Sequence, residues 1–226
     1  MAEVYPHPKM NPIQWVENFF YHYRWQFIFS LIVAAFIGIA AFQFFTRKDP
    51  DVSFYYVGPV ALSDEICKGI VSSAQEELSR DYNGNGKIEA DIRTQQLSTE
   101  LDLLSPHQKN EANEGFQSYT EEILTGDSCF LLVSPEFYEA LMDFNDDGSP
   151  LMSYYEIFGE DAPEGELLNG VPLRKTPLWQ KPGFDDLPSD TVLCLKYAGG
   201  VNGAQTNDEV NAANEQNVQI FRDLCS

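Results

Sequence analysis

Positively charged side chains are scarce in this sequence. Its 226 residues include 14 Lys and Arg but 35 Asp and Glu, which gives a formal net charge of −21. All of this negative excess comes from residues 49 to 226, which have 33 acidic and 10 basic side chains. Such a surface repels the phosphate groups of nucleic acids and of anionic lipids. The composition therefore predicts that the protein has no nucleic-acid partner.

Residues and motifs that commonly carry catalysis are also rare. Of three histidines, His7 and His22 precede the long apolar segment, and His107 stands among polar residues. The sequence contains no G-x-x-x-x-G-K-S phosphate loop, no G-x-S-x-G elbow and no H-E-x-x-H metal-binding helix. Neighbouring acidic side chains are frequent, but in so acidic a chain they are expected on a solvated face. We therefore predict that the protein is not an enzyme.

Cysteine is present at four positions, Cys67, Cys129, Cys194 and Cys225, and no pair has C-x-x-C spacing. This absence argues against a zinc or dithiol redox site. An even number permits two disulfides in any of three connectivities. Each cysteine also occupies an apolar position of a predicted helix or strand, where a free thiol packs as a small hydrophobic group. Buried thiols are the preferred interpretation, with one candidate bridge between Cys194 and Cys225.

Charge is wholly absent from residues 25 to 46, WQFIFSLIVAAFIGIAAFQFFT. Roughly 20 apolar residues in a helix cross a hydrocarbon core about 30 Å thick, so this segment is long enough to span a bilayer. A buried core helix would usually have a polar face. A signal peptide has a shorter apolar stretch of about 7 to 15 residues, and this one follows a leader of 24 residues. The segment therefore predicts an uncleaved transmembrane helix.

The flanks of this segment say little about its orientation. Two basic residues precede it and two follow it, so the positive-inside rule favours neither orientation clearly. Residues 1 to 24 are expected to form a cytoplasmic or interfacial leader, with a short helix over residues 11 to 25. A short leader most simply stays inside, and a long domain translocates largely regardless of its charge. We predict a single-pass protein of the cell membrane, with its amino terminus inside and residues 49 to 226 outside.

Strands and amphipathic helices alternate through residues 49 to 226. Strands are predicted at 52 to 58, 87 to 94, 128 to 134, 171 to 173 and 191 to 198, and helices begin after Ser63, Ser105, Ser134 and Asn207. This alternation is typical of a parallel sheet covered by helices and joined by right-handed crossovers. The length suits one hydrophobic core. We predict one extracytoplasmic α/β domain of three layers with a mostly parallel sheet.

One stretch within this domain resembles a known family. The segment TEEILTGDSCFLLVSPEFYEAL runs from a helix through Gly126 and Asp127 into an apolar strand and a second helix. It resembles the first lobe of extracellular solute-binding proteins, and the likeness covers residues 51 to 142. The resemblance implies an α/β lobe that binds a small ligand. Because residues 49 to 226 are too few for two lobes and follow an anchor, it implies a reduced, membrane-anchored relative.

Two segments resemble calcium-binding loops of the EF-hand and dockerin kind. Oxygen-bearing side chains at loop positions 1, 3 and 5 and a glycine at position 6 are what such a loop requires. The candidate ligands are Asp81, Asn83, Asn85, Lys87 and Glu89 in the first loop and Asp143, Asn145 and Asp147 in the second. Neither loop has an acid at position 12, and Asn-Gly and Asp-Gly are also common turn dipeptides. Calcium is thus a candidate cofactor, with simple turns as the alternative.

The ends of two predicted strands supply a candidate ligand site. Ligands of open parallel sheets collect beyond the carboxyl ends of the strands, where helix amino termini offer unpaired N–H groups. Tyr55, Tyr56, Ser63 and Ser134 would line such a crevice. The alternative is that the tyrosines pack in the core and the serines cap helices.

These patterns favour a membrane protein without enzymatic activity. We predict that it displays an acidic, solute-binding-like α/β domain outside the cell and binds a small ligand or a partner membrane protein. The alternative function is structural, as an assembly scaffold whose loops are stabilised by calcium.

Overall fold

A computed structural model of the protein describes residues 11 to 46, 50 to 97, 106 to 142, 150 to 198 and 207 to 226. The chain divides into two compact units, Met1–Lys48 and Asp49–Ser226. The first unit contains one long apolar helix. The second is an α/β structure with a core of its own.

The apolar helix α1 spans Pro12–Thr46. Within it the segment Tyr23–Phe42 has a mean hydropathy of 2.2, and none of it is buried. Trp25 and Phe36, for example, are 72% and 69% exposed, as no core helix would be. By length and composition α1 can cross a membrane, which fits a single-pass protein or a signal sequence. The helix expected over residues 11 to 25 is present from Pro12 onward, but its predicted end is wrong, because α1 continues without a break to Thr46.

The second unit alternates strands and helices, as the sequence predicts. Its elements in the described residues are β1 (Val52–Gly58), α2 (Asp64–Glu77), β2 (Ala90–Gln96), α3 (Pro106–Thr125), β3 (Phe130–Val133), α4 (Pro135–Met142), α5 (Tyr154–Phe158), β4 (Val171–Pro172), β5 (Val192–Leu195) and α6 (Asn207–Cys225). Two short 3₁₀ helices, Leu173–Lys175 and Pro177–Gln180, lie between β4 and β5. The predicted α/β class is confirmed.

The five strands form one mixed sheet in the order β2-β1-β3-β5-β4. Strand β1 runs parallel to β2 and β3, with Val57 opposite Val133. Strand β5 runs antiparallel to both β3 and β4. The prediction of a mostly parallel sheet is therefore wrong in half of the strand pairs. Between β4 and β5 the described chain has two short 3₁₀ helices and no crossover α-helix of the kind that usually joins parallel neighbours, which fits the antiparallel pairing of these two strands.

Helices cover both faces of the sheet. Successive side chains of a strand point to opposite faces, so Phe54 and Tyr56 lie in one core cluster, and Tyr55 and Val57 in another. The first cluster includes Ile70 and Ala74 of α2 and Ile220, Phe221 and Leu224 of α6. The second includes Tyr119 and Ile123 of α3 and Phe137, Tyr138 and Leu141 of α4. The second unit therefore has a helix, sheet and helix layer.

All four cysteines are free thiols. Cys194 belongs to the core cluster under α3 and α4, whereas Cys225 packs against the cluster on the opposite face of the sheet. The candidate bridge between them is therefore wrong, because the sheet separates the two sulfur atoms. Burial raises the pKa of all four thiols, that of Cys225 to about 12. The prediction of buried thiols is confirmed for Cys194, and Cys129 and Cys225 are partly buried against the core, whereas Cys67 is only partly buried and lies outside both core clusters.

Candidate functional site

The four residues expected to line a crevice at the strand ends are divided among other roles. Tyr55 and Tyr56 are buried on opposite faces of the sheet, so they cannot line one common crevice. Ser63 caps α2 by accepting a hydrogen bond from the Ile66 N–H at 3.3 Å. Ser134 is buried and donates to a Glu136 carboxylate oxygen at 2.7 Å. Core packing and capping account for these positions.

The first candidate calcium loop is folded by hydrogen bonds to its own amides. The Asp81 carboxylate accepts the N–H groups of Gly84 at 2.7 Å and Gly86 at 2.6 Å. The Asn83 and Asn85 side-chain oxygens each accept the N–H two residues further on, at 2.9 Å. Gly84 and Gly86 have φ values of +72° and +86°, a region that glycine enters without steric cost. These contacts describe a series of Asx turns.

A residue outside the motif, Asp51, organises the same loop. Its buried carboxylate accepts the backbone N–H groups of Tyr82 at 2.7 Å, Asn83 at 2.8 Å and Glu89 at 2.9 Å. Asp51 immediately precedes β1, and the loop leads into the neighbouring strand β2. The carboxylate thus ties the loop to the start of the sheet. Since Glu89 belongs to this loop, β2 begins at Ala90, later than the sequence predicts.

The metal prediction is only partly covered by the structure. Asp143, Asn145 and Asp147 of the second loop lie outside the described residues. Within the described ranges, no three His, Cys, Asp or Glu side chains form a group that could hold a metal ion. Lys87 and the Asn residues of the first loop offer amide and carbonyl oxygens instead. Calcium binding at Asp81, Asn83, Asn85, Lys87 and Glu89 stays a prediction.

The described residues of the α/β unit form two clefts that are large enough for a small molecule. One, here called the β4 cleft, has a volume of about 370 Å³ and lies between α4 and residues Glu166, Arg174, Lys175 and Asp190. Lys175 is paired with Glu166, whereas Arg174 has no ion-pair partner among the described residues. The other, here called the α6 cleft, has a volume of about 560 Å³. It is formed by the face of α6 from Asn211 to Arg222, together with Met152, Glu156 and Tyr197.

One side of the α6 cleft is a rigid acidic group, Glu156. Ser153 and Glu156 form a capping box at the start of α5, with the Glu156 carboxylate accepting the Ser153 N–H at 2.8 Å. The Tyr197 hydroxyl donates to the same carboxylate at 2.5 Å. Burial by itself raises the pKa of Glu156, but these hydrogen bonds outweigh it and lower the pKa. Burial and the Glu156 carboxylate raise the pKa of Tyr197 to about 12.

The other side of the cleft consists of polar side chains that α6 presents at helical spacing. Asn214 accepts the Ala198 N–H on its side-chain oxygen at 2.7 Å. Gln219 accepts a hydrogen bond from the Arg80 guanidinium at 2.6 Å. The Nε of Arg222 donates to the Ile157 carbonyl at 2.5 Å. Each of these three side chains therefore forms a hydrogen bond to the protein through one polar group. Its remaining NH₂ groups have no partner among the described residues.

Comparisons with known proteins do not add a family. No family model, curated protein or solved structure matches this chain. The likeness of residues 51 to 142 to a solute-binding lobe therefore stays a prediction. The features of this chain that bear on function are the chemistry of the α6 cleft and the apolar helix α1.

The sequence offered only weak signals for these site residues. Asn211, Asn214, Val218 and Arg222 follow one another at three- or four-residue spacing, which places them on one face of a helix. This pattern alone is that of any amphipathic helix. Glu156 and Tyr197 reach the cleft from elements far away in sequence, as does Asp51 at the loop. Only the packing of α5, β5 and α6 brings the cleft residues together.

Proposed function

We propose that this protein is a non-enzymatic, single-pass membrane protein that displays its α/β unit outside the cell and binds a small ligand in the α6 cleft. The observation that carries the proposal is the combination of an exposed apolar helix with a separately packed unit. The 20 residues of Tyr23–Phe42 match the thickness of a bilayer. The unit Asp49–Ser226 has its own core and contains the cleft.

The α6 cleft supports the ligand-binding part of the proposal. Small-molecule sites are concave, have volumes of roughly 300 to 1,000 Å³ and place a few oriented polar groups against apolar surface. The cleft has about 560 Å³, with Met152 and Val218 as apolar surface and Asn214, Gln219 and Arg222 as oriented polar groups. Side chains already fixed by the protein lose little entropy when they bind a ligand.

Membrane anchoring is tested by expressing the full chain with a carboxyl-terminal tag. We expect the tagged protein to stay in the membrane after alkaline carbonate extraction and to keep its amino-terminal residues by mass spectrometry. Protease added to intact cells should remove the tag. A variant with Ile32→Arg and Ile37→Arg should be released, because charges at the bilayer centre oppose insertion. A secreted chain that begins after residue 46 would show that the segment is a signal sequence.

Ligand binding is tested by thermal unfolding of the full chain in a nonionic detergent with a broad panel of small metabolites. We expect at least one compound to raise the melting temperature, because a ligand that binds the folded state stabilises it. Asn211→Trp should block the cleft and abolish this rise. Ala212→Trp is the matched control, since Ala212 is the next exposed residue of α6 and lies outside the cleft lining. A panel without effect would favour the scaffold function.

A further inference from the structure

We infer that the ligand of the α6 cleft carries an oxyanion group, a carboxylate or a phosphate, that binds against Asn214, Gln219 and Arg222. This inference rests on the proposed function, since it names the chemical class that the same cleft selects. It depends on which polar atoms of these three side chains already form hydrogen bonds within the protein.

The protein itself fixes the orientation of both side-chain amides. The partner of Asn214 is a backbone N–H, and the partner of Gln219 is a guanidinium; neither can accept a hydrogen bond. The amide oxygens must therefore face these partners. The Nδ2 of Asn214 and the Nε2 of Gln219 are the groups that remain, and both are donors. An amide flip would place two donors against each other.

The third side chain adds charge to the same set of donors. Arg222 uses its Nε on the Ile157 carbonyl, so its two terminal nitrogens remain for a ligand. Guanidinium nitrogens bind carboxylates and phosphates in paired, charge-assisted hydrogen bonds. Residues 214, 218, 219 and 222 lie within about 12 Å along the axis of α6, because a helix rises about 1.5 Å per residue. All three donor residues line the same cleft.

The acids of the cleft do not cancel this preference. Both oxygens of Glu156 already accept hydrogen bonds, one from the Tyr197 hydroxyl and the other from Ser153. Glu215 lines the cleft and is exposed, so water screens its charge. It can accept from a hydroxyl or an ammonium elsewhere on the ligand. The negative charge of the whole unit opposes the binding of any anion, so the oriented donors of the cleft have to outweigh that repulsion.

The test compares oxyanions from different sources on the full chain in nonionic detergent. Thermal unfolding and titration are measured with succinate, inorganic phosphate or glycerol 3-phosphate, at an ionic strength matched with sodium chloride. The first two represent soluble carboxylates and phosphates, and the third represents a lipid headgroup. We expect at least one of them to raise the melting temperature and to shift the side-chain NH₂ resonances of Asn214 and Gln219. Glucose, which has no charge, should do neither.

Two substitutions replace the donor groups by acceptors and keep the hydrogen bonds that these side chains form within the protein. Asn214→Asp and Gln219→Glu keep the oxygen that accepts from the protein and replace the remaining NH₂ group by oxygen. We expect each to weaken oxyanion binding by at least roughly tenfold, while melting in chloride alone changes little. Gln216→Glu adds the same charge to α6 outside the cleft lining and should keep most of the binding.

Two results would overturn the inference. If the oxyanions change neither the melting temperature nor the NH₂ resonances, the inferred ligand class is wrong. The proposed function would still stand if a neutral metabolite stabilised the chain. An equal oxyanion effect in Asn214→Asp, Gln219→Glu and the parent chain would place the anion elsewhere. Arg174→Met tests the β4 cleft as that alternative site. The resonance shifts report on the parent chain, so they stay decisive if a variant folds poorly.

Discussion

The ammonium nitrogen of Lys196 lies 2.9 Å from the carbonyl oxygen of Gly126, just beyond the end of helix α3. It also donates to the carbonyls of Glu122 at 2.9 Å and Ile123 at 3.3 Å. Lys196 is only 4% exposed, and burial lowers its pKa. Carbonyls at a helix end lack partners within the helix. Lys196, the residue directly after β5, therefore caps α3 although it is far from that helix in sequence.

We expect Lys196→Met to reduce the free energy of unfolding by at least about 2 kcal/mol, because the carbonyls of Ile123 and Gly126 lose the Lys196 donor and only that of Glu122 keeps another, the Gly126 N–H. The measurement is urea or thermal unfolding of the full chain. Lys68→Met is the control, since Lys68 is exposed on α2, and it should change stability by less than about 0.5 kcal/mol. Equal effects of the two substitutions would contradict the capping role.

Asp51→Asn should destabilise the α/β unit by about 1 to 3 kcal/mol. An asparagine retains one acceptor oxygen, whereas the Asp51 carboxylate uses both oxygens to accept three backbone N–H groups of the loop. Asp91→Asn, at an exposed position of β2, removes the same charge without these contacts and is the control. Hydrogen exchange of the amides of Tyr82, Asn83 and Glu89 should rise in the first variant only.

Calcium binding at the Asp81 loop is tested separately from Asp51. If the loop holds calcium, millimolar calcium should raise the melting temperature above that in EDTA, because the cation binds only the folded loop. In Asp81→Asn this calcium-dependent rise should disappear, whatever the variant does to stability in EDTA. The same melting temperature in calcium and in EDTA would show that hydrogen bonds alone hold the loop.

Gly183→Ala should be among the most destabilising single substitutions in the α/β unit. A Cβ atom at this position would lie 2.5 Å from the Ile70 nitrogen and 2.6 Å from the Ile66 oxygen of α2, and φ is +84°. We expect a loss of more than about 3 kcal/mol, since backbone of a packed helix cannot yield. Gly165→Ala is a close control, with φ of +83° and no atom within 4 Å of the added Cβ. It should lose only about 1 to 2 kcal/mol from the backbone conformation.

Acid should weaken the contact between α6 and the end of α2. Hydrogen bonds from the Ser79 and Tyr82 hydroxyls hold the pKa of Asp223 below its usual value. A carboxyl whose pKa is lowered by folding contributes stability above its unfolded pKa of about 3.9, and that contribution is lost as the pH falls through the folded pKa. The parent chain should therefore be more stable than Asp223→Asn at pH 7, and the gap should narrow near pH 3. A gap that stays constant would argue against this role of Asp223.

Local patterns predicted most of the elements of the fold. The apolar strand at residues 52 to 58, the cap at Ser63 and the helix that begins at Asn207 depend on side-chain periodicity and capping, which act over a few residues. Segment 143 to 190 has neither period, so α5 and the two 3₁₀ helices were not predicted. The direction of β5 could not be predicted either, because it depends on how that segment returns the chain to the sheet.

The candidate site, like the fold, was only partly predictable from the sequence. The helical spacing of Asn214, Val218 and Arg222 can be read from the sequence, but the hydrogen-bond partner of each polar atom cannot. Ile157, Ala198 and Arg80 come from separate parts of the chain, and their hydrogen bonds with α6 arise only after the sheet and its helices pack. The oriented donors of the cleft are thus a property of tertiary structure.

The sequence by itself determined the long apolar helix, the acidic surface and the alternation of strands with helices, since composition and short-range periodicity are enough to produce each of them. Only the tertiary structure decided the antiparallel direction of β5, the separation of Cys194 from Cys225 by the sheet, and the partners of Asp51 and Lys196. These features join residues that are distant along the chain. A buried charge takes whatever hydrogen-bonding groups the packed core places beside it, and no local pattern specifies them.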